Sequence, residues 1–135
     1  MNIALFGGAF DPPHLGHLQV VTDVLTQGIV DQIWLVPVGT HDFNKQMAPA
    51  STREKLLQLA FKELAPKTQL KVKIERCELD RPGVNHTIDT LEQLAASHEQ
   101  DRFSFIIGSD NLKKFHLWHD YQRILSNYLV YVYPR

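Results

Sequence analysis

One cysteine, Cys77, is all that 135 residues contain. A lone thiol excludes an internal disulfide and any zinc site assembled from several cysteines. It fits a reducing compartment, where Cys77 reads as a small residue of a strand. Charge of one sign is missing as well: fourteen Lys and Arg stand against fifteen Asp and Glu, a formal net charge of −1. Nucleic-acid binders carry a basic face and a high pI. Neither is present, so no nucleic-acid partner is expected, whereas a small anion needs only a few local donors. The chain opens with no basic segment leading into a long apolar stretch, and no apolar run reaches membrane-spanning length. The expectation is a soluble, cytoplasmic protein with no membrane partner. Glycine and proline, seven of each, are not in excess. No repeat, linker or low-complexity segment divides the chain. Its length fits one domain over residues 1–135, burying roughly two-thirds of the surface that the unfolded chain exposes.

Apolar residues, by contrast, come in ordered blocks. Ile3-Ala4-Leu5-Phe6 reads as a buried strand, and Leu15, Leu18, Val21 and Val24-Leu25 recur at helical spacing. Gln27-Gly28 ends that helix, with glycine suited to a left-handed cap. Ile33-Trp34-Leu35-Val36 is a second buried strand, and the polar loop over 40–49 is longer than most connectors. Ser51-Thr52-Arg53-Glu54 matches a capping box. It predicts a helix whose broad apolar face is Leu56, Leu57, Leu59, Ala60, Phe61 and Leu64, and Pro66 stops it. Leu70-Lys71-Val72-Lys73-Ile74 alternates apolar with basic, as an edge strand with one wet face does. Residues 76–84 read as a polar loop. Thr87 or a neighbour caps a helix with Ile88, Leu91, Leu94 and Ala95 buried. Phe103-Ser104-Phe105-Ile106-Ile107 is a strand running into Gly108-Ser109-Asp110. A short helix around 121–125 precedes the last strand, Leu129-Val130-Tyr131-Val132-Tyr133. Five strands alternating with four helical segments predict an α/β fold: an open, doubly wound, Rossmann-like five-stranded parallel sheet in the order 3-2-1-4-5. Ligands bind such sheets beyond the carboxyl ends of the strands, where the strand order reverses.

Chemistry concentrates in the turn after the first strand, Gly7-Gly8-Ala9-Phe10-Asp11-Pro12-Pro13-His14-Leu15-Gly16-His17. A strand, a glycine turn and a helix N-terminus together favour an anion, because backbone N–H groups and the helix dipole both point at it. His14 and His17 lie three apart. They read as donors to phosphate oxygens, as structural histidines capping or packing a turn, or as half of a metal site whose further ligands no local spacing fixes. The turn has no Gly-Lys-Ser/Thr ending and no complete G-x-G-x-x-G, so neither well-known phosphate loop applies.

The pattern that is present, G-G-x-F-D-P-x-H-x-G-H, resembles the signature of the adenylyl- and cytidylyltransferase superfamily that carries the H-x-G-H motif. Further segments resemble the bacterial nicotinate-nucleotide adenylyltransferases within it. Arg81-Pro82-Gly83 followed by Thr87-Ile88-Asp89-Thr90-Leu91 is similar to their R-x-G…T-I-D-T-L segment. Phe105-Ile106-Ile107-Gly108-Ser109-Asp110 with Leu117-Trp118-His119 is similar to their F-I-I-G-x-D…W. Arg53-Glu54-Lys55-Leu56-Leu57 resembles their R-x-x-M-L helix start, and Val36-Pro37 with Lys45 resembles the loop of their phosphate-binding lysine. The likeness runs from Met1 to about Tyr133.

The resemblance implies transfer of AMP from ATP to nicotinate mononucleotide, giving deamido-NAD and pyrophosphate. It implies His14, His17 and Lys45 as catalytic residues on the ATP phosphates. Gly7, Gly8, Ala9 and Phe10 line the nucleotide site, and Gly108 and Asp110 contact the adenosine ribose. Arg53 is implied as a substrate-binding residue that assists Lys45 at the phosphate, and Thr87, Trp118 and His119 bound the nicotinate of the acceptor, with Trp118 stacking on its ring. Mg²⁺ comes with ATP, and no protein-bound metal is implied. The acceptor phosphate is already ionised at neutral pH, so the task is alignment and charge neutralisation rather than general-base catalysis.

Several positions depart from the pattern. The family's C-terminal I-S-S-T-x-I-R segment has no counterpart, so the domain is expected to be shortened at its C-terminus and to turn over weakly by itself. His119 stands where tyrosine is common, Asn44 where histidine is common, and His86 where an aromatic residue is usual before Thr87. Two alternatives follow: a related transferase acting on another phosphate ester such as phosphopantetheine, and a nucleotide-binding relative with little turnover.

Overall fold

Four consecutive residues, Ile3 to Phe6, are buried although alternate side chains of a strand point to opposite faces. Such a strand must be covered on both sides, and the computed structural model, which describes residues 1–39 and 47–134, shows how. The strands are β1 (Asn2–Gly8), β2 (Gln32–Pro37), β3 (Val72–Ile74), β4 (Arg102–Gly108) and β5 (Leu129–Tyr133). They form one five-stranded sheet in the order β3-β2-β1-β4-β5 with every pairing parallel, as expected. The helices are α1 (Leu15–Thr26), α2 (Ala50–Phe61), α3 (Pro66–Gln69), α4 (Cys77–Asp80), α5 (Thr87–Ser97), α6 (Ser109–Leu112) and α7 (Tyr121–Asn127), with a 3₁₀ turn at Phe115–Leu117. Ala4, Phe6, Ile33 and Leu35 pack with Val21 and Val24 of α1 and Leu57 of α2. On the opposite face Ile3, Leu5, Trp34 and Val36 pack with Ile88, Leu91 and Leu94 of α5 and Ile124 of α7. The sheet is therefore doubly wound. Among the described residues no helix is long and apolar enough to cross a membrane.

Local expectations fail where one residue has a stronger claim than the pattern it sits in. The predicted capping box of Ser51 and Glu54 does not form. Helix α2 opens at Ala50 behind Pro49, with no side-chain cap, and Glu54 instead pairs with Arg76. The apolar face of α2 is narrower than expected, since Leu57 is 2% exposed but Leu59 is 58% exposed. Pro66 does not stop α2. That helix ends at Phe61, and Pro66 opens α3, where its missing N–H costs nothing. Gln69 Nε2 then donates back to the Leu64 carbonyl at 2.8 Å and the Lys62 carbonyl at 3.3 Å, closing the corner. Strand β3 keeps only three residues at the sheet edge, with Leu70 outside it and exposed. Lys73 on its outer face lies 4.2 Å over the Trp34 ring.

Cys77 is not a strand residue. The expected loop over 76–84 contains the single turn α4, and the thiol is buried there against the α5 face of the sheet. Burial first, then the nearby Glu75 and Glu78 charges, push the thiol up to about 11. The thiolate is the reactive form. A thiol reagent at neutral pH is therefore expected to label native Cys77 about a hundredfold more slowly than the denatured chain. Equal labelling rates in buffer and in denaturant would disprove the burial of this group.

Candidate active site

The turn after β1 is built by residues that fold back on one another. Phe10 takes a left-handed conformation, φ 49°, which a non-glycine residue adopts at a cost of roughly 1–2 kcal/mol. Its ring offsets that cost by burial, being 2% exposed and packed edge-on to Phe6 and to the His17 ring, with centroids 5.9 and 5.0 Å apart. His14 then serves as N-cap of α1. Its Nδ1 accepts from the Gly16 N–H at 3.1 Å, and its own backbone N–H donates to His17 Nδ1 at 3.0 Å. The two rings stack with centroids 3.8 Å apart and planes 21° apart. Gly16 is required by this fold-back, since a Cβ there would meet His14 Cε1 at 2.8 Å and Nδ1 at 2.9 Å.

The cap fixes the chemistry of both rings. A neutral imidazole that accepts through Nδ1 carries its proton on Nε2. His14 and His17 are thus capping residues and, through Nε2–H, donors of one tautomer. Capping and phosphate donation, which the sequence left as alternatives, are compatible in this arrangement. Among the described residues no three His, Cys, Asp or Glu side chains converge as a metal site does.

Arg53, expected to bind substrate, spends its donors on the protein's own backbone. Its side chain is 1% exposed and its donors go to backbone carbonyls. Nε donates to Ala48 at 2.9 Å, Nη1 to Ala9 at 3.0 Å and Val38 at 2.7 Å, and Nη2 to Gly39 at 3.3 Å. The guanidinium thereby joins the turn after β1, the exit of β2 and the approach to α2. Asp11 reinforces the same junction by accepting from the Ala48 N–H at 3.0 Å. Gly39 in turn lies against α4, where a Cβ would meet the Glu78 carbonyl oxygen at 2.5 Å. Lys45 lies outside the described residues.

Glu78 anchors a second polar network on the α5 side. Thr90 Oγ1 donates to Glu78 Oε2 at 2.7 Å and accepts from Arg81 Nη2 at 2.7 Å. Arg81 also reaches Gln93 at 2.9 Å and Asn85, whose Nδ2 returns to the Glu78 carbonyl at 3.0 Å. Burial pushes the Glu78 carboxyl above its ordinary value, opposed by the Thr90 hydrogen bond and the Arg81 charge. Arg81 and Thr90 fall within segments that the family pattern marks, but nothing in the sequence signals Glu78, Asn85 or Gln93.

The remaining expected residues gather at the same edge of the sheet. β1 and β4 are paired neighbours, so the Gly7–Gly8 turn and Gly108 with Asp110 leave side by side. A cavity of about 550 Å³ lies beside them on the α1 face, lined by His14, His17, Gln19, Ile106, Tyr131 and Tyr133 among others. Tyr131 and Tyr133 were legible only as strand residues. Thr87, Trp118 and His119 assemble on the opposite, α5 face. The His86 and His119 rings sit 4.6 Å apart, bringing the start of α5 to the loop after the 3₁₀ turn. Trp118 packs on Phe105 and Phe115 with centroids 5.7 and 5.0 Å away, half-buried rather than submerged.

Comparison with known proteins places this geometry. The cytidylyltransferase-like family model matches residues 5–135. The chain belongs to that family. It is 36% identical over 135 residues to a probable nicotinate-nucleotide adenylyltransferase of Flavobacterium johnsoniae, covering all of this chain and 68% of that protein. Against the protein of the same name in Myxococcus xanthus it is 41% identical over 125 residues, 92% of this chain and 63% of the relative. The chain thus spans about two-thirds or less of the length of these curated relatives. The nicotinic acid mononucleotide adenylyltransferase of Plasmodium falciparum, complexed with NaAD, superposes with a TM-score of 0.83 at 18% identity, covering 99% of this chain and 75% of that one. That likeness is one of fold. In this family member, the H-x-G-H motif is a helix cap made of two imidazoles around one glycine.

Two expectations follow from the site. Gly16→Ala gains about 1 kcal/mol of helix propensity and loses a cap of about 1 kcal/mol. Net stability should move by less than about 1 kcal/mol while the His14 ring swings off Gly16. The ¹⁵N imidazole spectrum reads this directly, and an unchanged His14 Nδ1 signal in a folded variant would refute the account of Gly16. Glu78 has a raised folded value, so its stabilising contribution is full below the ordinary carboxylate range and declines as pH rises through that raised value. Glu78→Gln removes this titration. Its melting temperature should fall less than the wild-type value as pH rises from the ordinary carboxylate range toward neutrality, and identical slopes would show that Glu78 does not titrate there.

Proposed function

We propose that this chain transfers AMP from ATP to nicotinate mononucleotide, releasing pyrophosphate and forming deamido-NAD, in the cytoplasm. An ionised phosphate oxygen of the acceptor attacks the α-phosphorus. The bond from that phosphorus to the bridging oxygen breaks, and pyrophosphate leaves with the electron pair. The substrate enters as MgATP, its metal carried by the phosphates. The observation that supports this reading is the His14–His17 pair, whose Nδ1 atoms are taken by the cap and whose rings line the cavity beside the β1 turn. Charge accumulates on the departing pyrophosphate, and fixed N–H donors placed there beforehand stabilise it without reorganisation.

The other residues fall into roles by position. Gly7, Gly8, Ala9 and Phe10 offer backbone to the phosphates. At Gly8 a Cβ would make only ordinary contact with the Phe10 ring, at 3.7 Å or more, so the fold itself tolerates a side chain there. Close approach of a ligand supplies the reason for glycine. Gly108 and Asp110, at the end of the neighbouring strand, take the ribose, and Lys45 adds charge. Across the sheet edge Thr87, Trp118 and His119 bound the pyridine ring of the acceptor. Trp118 provides an aromatic wall held in place by Phe105 and Phe115.

Pyrophosphate release measured with MgATP and each acceptor tests the assignment. Nicotinate mononucleotide should support release and phosphopantetheine should not; the reverse result would reject the acceptor. His17→Ala should fold and lose about a hundredfold or more in kcat, the usual effect of removing one preorganised donor. Undiminished turnover in that variant would end the mechanism.

A further inference from the structure

Arg53 is a buried cation held by neutral partners. It is 1% exposed, and among the described residues no carboxylate forms an ion pair with it. It also sits in the opening turns of α2, where the helix dipole is adverse to positive charge. Burial and dipole both oppose a guanidinium here, and carbonyl dipoles offset them. An apolar residue would escape both penalties but leave four carbonyls without donors, and one of those carbonyls gives the guanidinium a reason beyond packing.

That reason lies in the Ala9–Phe10 peptide. A trans peptide is planar, with the N–H of one residue antiparallel to the C=O of the residue before it. Arg53 Nη1 holds the Ala9 carbonyl from the interior at 3.0 Å. The Phe10 N–H therefore lies on the side of that peptide plane facing away from Arg53. The same nitrogen holds Val38, and Nε holds Ala48, so the plane of the guanidinium is fixed by three separate segments. Phe10 is also the residue with φ 49°, a conformation that persists only when its surroundings impose it.

We infer that Arg53 is a positioning residue for the nucleotide phosphates: it orients the Ala9–Phe10 peptide so that the Phe10 N–H meets the anion, and it adds an uncompensated positive charge directly behind that donor. This deepens the nucleotide reading given above and rests on it. Arg53 acts through the peptide rather than by touching substrate. Its effect falls on ATP and leaves the acceptor, which lies on the α5 side of the sheet edge, untouched.

Two variants separate the parts. Arg53→Lys keeps the charge and loses the fork, and Arg53→Met loses both. Calorimetry with MgATP and, separately, with nicotinate mononucleotide is run on each, beside a thermal melt and the ¹⁵N amide spectrum. In folded Arg53→Lys the Phe10 amide should shift, and ATP affinity should fall about tenfold, while nicotinate mononucleotide affinity stays within about twofold. Arg53→Met should lose more ATP affinity than Arg53→Lys, by the contribution of the charge. A lower melting temperature with ATP affinity unchanged would make Arg53 merely structural and overturn the proposal, as would equal losses for both ligands. Should Arg53→Met not fold, Arg53→Lys decides alone. Wild-type chain that binds MgATP but releases no pyrophosphate with nicotinate mononucleotide rejects the transfer reading for this chain and leaves Arg53 to be judged on ATP affinity. Wild-type chain that does not bind MgATP overturns both.

Discussion

Everything at the site depends on one constraint: β1 and β4 are parallel and adjacent at the centre of the sheet. Parallel strands release their chains at the same edge, so the turns that follow them open into a shared crevice. The β1 turn runs to α1 on one face, while α5 and α7 cover the other. The edge of the sheet therefore separates two sets of groups by the thickness of one layer. Histidines and glycine backbone stand on one side, and Thr87, Trp118 and His119 on the other.

The walls differ in how they are made rigid. On the α1 side the device is local: a capping histidine, a second histidine returning the hydrogen bond, and a glycine that leaves room for the fold-back. On the α5 side it is a network among Glu78, Thr90, Arg81 and Asn85, with a carboxylate taken out of water and satisfied by hydrogen bonds. Gly39, pressed against the Glu78 backbone and held by Arg53, joins the two. Polar groups buried at this density specify one arrangement, because each that loses its partner is costly.

The strands, their order and the H-x-G-H turn were legible in the sequence because their signals are contiguous. A strand buried on both faces is an unbroken apolar run, and the turn is a fixed pattern of residues. The single-turn helices α3, α4 and α6 were not, since four residues carry no period. Cys77 was misplaced for that reason. The false capping box at Ser51 shows the limit of a local pattern when a proline one residue ahead of the helix sets its start. Arg53 was read as a substrate-binding residue, and the partners it has within the fold were not legible. Carbonyl oxygens, its actual partners, belong to every residue and leave no mark in a sequence. Tyr131 and Tyr133 entered the cavity through tertiary placement alone.

The grip of Arg53 on Val38 and Gly39 at one end and Ala48 at the other has a consequence for how this fold varies. Four backbone carbonyls depend on this one side chain, so substitution at Arg53 releases the β1 turn, the exit of β2 and the approach to α2 together, and position 53 cannot vary alone. Each buried carbonyl that loses its donor costs about 1–3 kcal/mol.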